Sequence, residues 1–276
     1  MYSYGLSKDV GALMSQLIHE TAIISPKAKL GENVTVGAYS IIGDDVVIGD
    51  NTVIHHHVTI VGNTVIGKDN HFFQYCSIGE APQDLSYKGE PTRVIIGDNN
   101  VFREFNSVHR GTLKDREETT IGSHNFFMSY VHLGHDVVFG SNCIIANSTN
   151  FAGHVKVGDR VIIGGGTNIS QFVSLGRGAY IGGASAIDRD VPIFATAYGN
   201  RCKLKGINII GLRRQGYEKK DISELVDFYR TMESSPLSPR AFVDHPELLE
   251  EFTGNPLIDE MCEGIRKSEI GIAPFI

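Results

Sequence analysis

The first candidates for chemistry in this chain are His135 and the residue that follows it, Asp136. A neutral imidazole near pH 7 is the usual general base, and a carboxylate beside it can orient the ring. Further His stand at suggestive intervals: His154 lies 19 residues after His135, His132 lies three before it, and His109 precedes both. Gly153 has no side chain to cover its backbone N–H, which makes it a candidate oxyanion donor. No Ser or Cys sits in a nucleophile-elbow pattern, so a direct transfer fits better than a covalent enzyme intermediate. Two other readings stand beside this one: surface His without function, and zinc held by three His. The candidate His fall in different phases of a six-residue repeat, which counts against zinc. A second run, His55, His56 and His57, has no acid or base partner implied and reads as a solvated face.

What must position these groups is a repeat of six. A core residue returns at Ile18, Ile24, Leu30, Val36 and onward to Ile78, then at Ile96, Phe102 and Val108. The register resumes at Ile121 and runs to Ile187, and none of these positions is polar. Two residues earlier in each hexad the side chain is small or β-branched, as in Ser40, Thr52, Val58, Cys76 and Cys143. Neither a helix nor an alternating strand has period six, so the pattern is that of a hexapeptide β-helix. Each hexad is a short strand and a corner. Gly, Asn or Asp is expected at the corner, where β-branched residues resist the backbone geometry. Three hexads close one triangular coil, and residues 18 apart stack at roughly 4.8 Å.

The count is broken twice. Between Ile78 and Ile96 the next register positions are Asp84 and Glu90, and carboxylates do not belong in an apolar column. The chain is therefore expected to leave the coil over 79–95, and again over 109–120, where charges crowd and the step is 13 residues. Excursions from a rigid scaffold are where function concentrates.

The register gives the organisation. Residues 1–17 form an N-terminal extension without the basic start and apolar core of a signal peptide, and Met14 is a candidate start. The β-helix spans 18–190. Residues 191–276 form a connecting segment and a helical domain. In that domain Ile222, Leu225, Val226 and Tyr229 mark one helix face, and a weaker helix over 239–252 is interrupted at Pro246. Asn255 caps a last helix with Pro256 at its first position. No apolar run approaches the roughly 18 residues of a membrane span. Four Cys without a CxxC pair suit free thiols in a reducing cytoplasm. The net charge is −7, yet 191–217 holds no acid and five cations: Arg201, Lys203, Lys205, Arg213 and Arg214. Such a stretch suits a phosphate, an acidic protein partner or a solvated edge. Nucleic acid is disfavoured, because the chain is acidic overall and carries no binding motif.

Six segments carry a more specific signal: IGEAPQDLSYKGEPTRV (78–94), HRGT (109–112), HLGHD (132–136), AGHVKVGD (152–159), AYGN (197–200) and GINIIGLRRQGY (206–217). Together they resemble the UDP-N-acetylglucosamine 3-O-acyltransferase family, which begins lipid A assembly. Generic sugar acetyltransferases share the hexads but not these loops. The resemblance implies a left-handed β-helix, a homotrimer with sites between subunits, and no cofactor or metal. It implies attack of the sugar 3-hydroxyl on the thioester of a 3-hydroxyacyl group carried on acyl carrier protein. His135 matches the family's general base, Asp136 its orienting acid and Gly153 its oxyanion donor. Asp84, His132, His154 and Gln171 match positions that hold the glucosamine and acyl portions, and His109 a further His of the site. Asn208 and Arg214 match nucleotide and phosphate contacts, and Gly183 the gate on acyl length.

The chain departs from the family pattern at Ser86, Ser170, Ile210 and Gln215. These changes touch sugar, nucleotide and carrier contacts rather than the base. Three rival readings remain: N-acylation of a 3-amino UDP-sugar in the same cleft, a metal-dependent hydratase, and a non-catalytic scaffold that kept the coil.

Overall fold

The computed structural model describes residues 17–276. The expectations placed on residues 1–16, including the start at Met14, lie outside the described residues. From Ile18 onward the chain winds as a parallel β-helix with three flat faces. The first face stacks nine strands from Ile23–Ile24 to Ala186–Ile187, and the second stacks eight from Lys29–Leu30 to Ser174–Leu175. The third runs from Thr35–Val36 to Ala195–Tyr198 and ends in an antiparallel partner, Lys203–Ile207. Most strands are two residues long, because a hexad must spend its remaining residues on a corner. Partners such as Ile42 and Ile60 lie 18 residues apart, one coil above the other.

Of the register residues, those from Val36 to Ile187 are all buried. Ile24 and Leu30 are only half-buried, and Ile18 is 44% exposed. The lowest coil has nothing stacked beneath it among the described residues, so its apolar column ends open. Higher up, Phe72, Phe102 and Phe127 stack with ring centroids 4.9 and 4.7 Å apart. Each such pair contributes about 0.5–1.5 kcal/mol beyond its buried area. The small position also holds Asn70, Asn100 and Asn125. The Oδ1 atoms of Asn70 and Asn100 each accept the backbone N–H of the next Asn up, and that of Asn125 accepts the N–H of Cys143. This ladder satisfies amides that the irregular stretch of coil would otherwise strand. All four Cys are buried free thiols.

Both excursions are shorter than 79–95 and 109–120. The strand Ser77–Glu80 carries on past Ile78, and Arg93–Ile96 pairs with Asn63–Ile66 below and Glu118–Ile121 above. The ladder hydrogen bonds on both sides hold these ends in the coil, so only residues 81–92 and 110–117 leave it. The upper end differs from expectation in the opposite sense. Ala195–Tyr198 still pairs in parallel with Tyr180–Ile181, so the third face continues past residue 190.

The corners depart most from the expected Gly, Asn and Asp. One does hold Asn33, Asn51, Asp69 and Asn99 at positive φ. A second holds Tyr39, His57, Tyr75, Phe105 and Tyr130, also at positive φ, with rings stacked 4.7–5.3 Å apart. His57 is thus part of an aromatic column. His55 is buried and stacked on Phe73, so of the run read as a solvated face only His56 and His57 are exposed. β-Branched residues are absent from the described positive-φ corners.

Beyond the coil lie α1 (Ile209–Arg214), α2 (Lys219–Ser234), α3 (Pro239–Val243) and α4 (Pro256–Lys267). The region after α3 breaks into two short 3₁₀ turns starting at Pro246, where proline lacks the N–H a continuing helix needs. α2 buries Ile222, Leu225 and Tyr229 as read, together with Phe228 and Met232, while Val226 is only half-buried. Among the described residues no helix is long and apolar enough to cross a membrane.

Candidate active site

The third corner builds the site. Asp136, His154 and Phe172 occupy it in successive coils with φ of 60°, 65° and 66°. His135 immediately precedes this column. Its Nδ1 lies 2.8 Å from Asp136 Oδ2. The Asp136 side chain is wholly buried and also accepts from Thr112 N at 2.8 Å and Thr112 Oγ1 at 2.7 Å. Burial alone would raise its pKa, but the hydrogen bonds from His135 and Thr112 and the nearby His154 outweigh it and hold the pKa below the usual value. A carboxylate in this state accepts a hydrogen bond from His135 Nδ1–H and leaves the Nε2 lone pair free to accept a proton.

Gly153 is required by this arrangement. A Cβ built there would stand 2.4 Å from His135 Cε1 and 2.6 Å from Nε2, closer than any side chain tolerates. The bare backbone lets the imidazole lie against it. Among the described residues the Gly153 N–H has no protein acceptor.

His135 and Gly153 face a cavity of about 490 Å³ on the outer side of the first face, lined also by His109, His132 and Gln171. His132 stands one strand below Asn150, which pairs in turn with Asn168 and then Ala186, so the cavity runs up the stack. Ser107 and His132 Nδ1 are 2.8 Å apart. His109 donates Nδ1–H to Ala81 O at 2.8 Å, and its ring meets His132 edge-on at 5.1 Å. Burial lowers the pKa of His132 to about 4, helped by the neighbouring His109 and His135, and burial also lowers that of His109. Both rings are therefore neutral near pH 7 and suit hydrogen bonding to an uncharged ligand.

The remaining residues read from the sequence fall outside this cavity. His154 lies behind His135, its ring perpendicular to it at 5.0 Å and flat on Phe172 at 4.6 Å. Asp84 is held by Lys114, whose Nζ is 2.8 Å away, and by the N–H and hydroxyl of Ser86, which keep its pKa far below the carboxylate range. Asn208 caps α1: its Oδ1 accepts from Gly211 N at 2.9 Å and its Nδ2 donates to Gly178 O. Arg214 ends α1 and is exposed. Gly183 is exposed near the top of the stack, with Gly165 O 3.1 Å from where a Cβ would be.

Sequence reasoning missed Thr112, Asp115, Gln83, Asn150 and Asn168. The 18-residue step from His132 points to Asn150 and Asn168 and was readable. No spacing rule places Thr112 or Asp115, because excursions have no register. The cluster His135, Asp136 and His154 has the donors of a metal site within 4.8 Å of one another. Its Nδ1 atoms, however, are already matched to carboxylates, so protons satisfy it as it stands.

Fold and site together define a hexapeptide-repeat acyltransferase: a β-helix carrying a carboxylate-bound imidazole and an open backbone N–H on one outer face. Comparison with known proteins narrows the class. The family model for UDP N-acetylglucosamine O-acyltransferase, domain 2, matches residues 190–273, and that for bacterial transferase hexapeptide repeats matches 27–62. An acyl-[acyl-carrier-protein]–UDP-N-acetylglucosamine O-acyltransferase from Stutzerimonas stutzeri is 44% identical over 256 residues, covering 93% of this chain and 98% of the relative. One from Halorhodospira halophila is 50% identical, covering 78% and 83%. The LpxA structure from Acinetobacter baumannii superposes with a TM-score of 0.90 at 43% identity, covering 94% of this chain and all of the other. The UDP-N-acetylglucosamine acyltransferase from Arabidopsis gives 0.78 at 31% identity, covering 93% of this chain. The chain belongs to the UDP-N-acetylglucosamine O-acyltransferase family, and its β-helix is the left-handed one.

Proposed function

We propose that this protein transfers a 3-hydroxyacyl group from acyl carrier protein to the 3-hydroxyl of UDP-N-acetylglucosamine, the first step of lipid A biosynthesis. The observation that carries this reading is the contact of His135 with both Asp136 and Gly153 at the cavity wall. His135 Nε2 accepts the proton of the sugar hydroxyl as its oxygen attacks the thioester carbonyl. Asp136 holds the Nδ1 proton and stabilises the imidazolium. The Gly153 N–H donates to the oxyanion of the tetrahedral intermediate. The intermediate then expels the carrier thiolate, and the imidazolium returns its proton to that sulfur.

The neutral His109 and His132, with Gln171, hold sugar and acyl portions through hydrogen bonds. Asp84 and His154 contribute from the edges of the cleft. Arg214 binds the diphosphate and Asn208 the nucleotide; their position outside the cavity supports a homotrimer in which they reach the site of a neighbouring copy. The outward side chains of the third face, among them Val53, Val101, Ile144, Ile162 and Tyr180, are apolar enough to meet such a neighbour. Gly183 leaves the groove open to a long acyl tail.

The test is turnover by the purified full-length protein with a panel of 3-hydroxyacyl carriers of increasing chain length. Each carrier is offered with UDP-N-acetylglucosamine and with its 3-amino analogue. The proposal expects ester product, with rates favouring longer chains. Exclusive amide product would replace it with N-acylation, and no acyl product from any pair would remove it.

A further inference from the structure

We infer that Asp115, on the second excursion, is a positioning residue that keeps Asp136 dedicated to His135; the inference rests on the transfer reading above. His154 Nδ1 lies 3.0 Å from Asp115 Oδ2 and 3.9 Å from Asp136 Oδ2. That second oxygen is the one that binds His135 Nδ1 and Thr112 Oγ1. Two imidazoles thus stand within reach of one buried carboxylate oxygen, and Asp115 gives the second imidazole a carboxylate of its own.

The geometry leaves His154 few alternatives. Its side chain is 8% exposed, its ring is fixed flat on Phe172, and its face is perpendicular to His135. Turning the ring to find water would break both contacts. Without Asp115, its Nδ1–H has Asp136 Oδ2 as the nearest carboxylate oxygen, and the bond formed there weakens the one that holds His135. The tautomer of His154 is set in the same way, since an acceptor at Nδ1 keeps the proton there.

The excursion is built to deliver Asp115. Its turn closes on Thr112, whose carbonyl accepts from the N–H of Asp115 and of Glu117 and whose hydroxyl accepts from Lys114 N. Lys114 ties the same turn to the first excursion, reaching Asp84 Oδ1 at 3.1 Å and Oδ2 at 2.8 Å. Thr112 holds Asp136 while Asp115 holds His154, so one turn supports both imidazoles of the corner.

The experiment compares full-length wild type, Asp115→Ala and Asp115→Asn. Asn keeps an acceptor oxygen in place and drops the charge. The inference expects Asp115→Ala to lower kcat/KM about tenfold, the low end of what losing an imidazole's orienting partner costs, and Asp115→Asn to recover to within about threefold of wild type. Nitrogen-15 shifts of the two rings, read without substrate, provide a second measurement. Both rings are expected to be Nδ1–H in wild type, and in Asp115→Ala the His154 signal moves toward a tautomer mixture and the His135 Nδ1 proton shifts. Unchanged ring signals in Asp115→Ala overturn the inference whatever the rate, as does a kcat/KM within twofold of wild type. If wild type transfers no acyl group, the transfer reading falls while the ring signals still decide the role of Asp115.

Discussion

Two corners of the same β-helix carry stacked rings at positive φ, and only one of them is equipped for acid–base work. At the first, His57 lies between Tyr39 and Tyr75, and the column continues through Phe105 and Tyr130. Beside it His55 is buried on Phe73 with its Nε2 unpartnered, and burial drives its pKa down to about 4. At the other, His135 and His154 each direct Nδ1 at a carboxylate. The coil treats both corners alike: it places residues 18 apart and stacks them. The difference lies in the carboxylates, Asp136 from the corner itself and Asp115 from outside the repeat. The excursion over 110–117 brings Thr112 and Asp115 to one corner, and among the described residues nothing of that kind reaches the other. Stacking holds a ring rigid at either corner, while here the coil's own Asp136 meets His135 and the excursion's Asp115 meets His154.

The most direct way to break this contrast is His135→Ala. The substitution removes the group whose Nε2 faces the cavity while leaving the 18-residue columns intact. Turnover is expected to fall by at least the roughly 100-fold that general-base loss costs, with the fold retained. A folded variant that turns over near the wild-type rate would take His135 out of the mechanism.

A smaller effect is expected from Gly153→Ala, which tests whether the contact between ring and backbone matters. The added methyl would stand 2.4–2.9 Å from three atoms of the His135 ring, so the imidazole must move. A displacement of this order is expected to lower kcat about tenfold or more, while Gly264→Ala, in α4 with open space around it, leaves kcat alone. Equal kcat in wild type and Gly153→Ala would show that the ring has room the structure does not give it.

These two residues were legible in the sequence for different reasons. The hexad register locates inward positions, because any polar side chain there would be buried without a partner, and it also says which coils are neighbours. It therefore placed His135 and His154 at one edge and put Gly153 a coil away. It could not say which outward side chains stack, since Tyr39 or Tyr75 at a corner satisfies the period as well as Asn51 does. Nor could it place Asp115, whose contact with His154 spans 39 residues and depends on the path of an excursion. Asn208 shows the limit from the other side. Its motif suggested a ligand contact, and the fold also uses its side chain to cap α1, a six-residue helix too short to announce itself by periodicity.

The smallest expected effect concerns stability and sharpens the contrast at the aromatic corner. His55 and His132 both have folded-state pKa values of about 4, pushed down chiefly by burial, against an ordinary value of 6.5. Above pH 6.5 both are neutral whether the chain is folded or not, and they add no pH dependence. Below it the unfolded chain takes up protons that the folded protein resists, so stability falls as the pH drops from 6.5 toward 4 and levels off once both states are protonated. His55→Phe keeps a ring to stack on Phe73 and removes one of these titrations. The drop in melting temperature between pH 6.5 and 4.5 is therefore expected to become shallower in this variant, with turnover at pH 7.5 unchanged because the residue lies outside the cavity that His135 lines. An equally steep drop in His55→Phe would mean that this corner stays open enough for His55 to be protonated in place, and that the two corners differ less in burial than in partners.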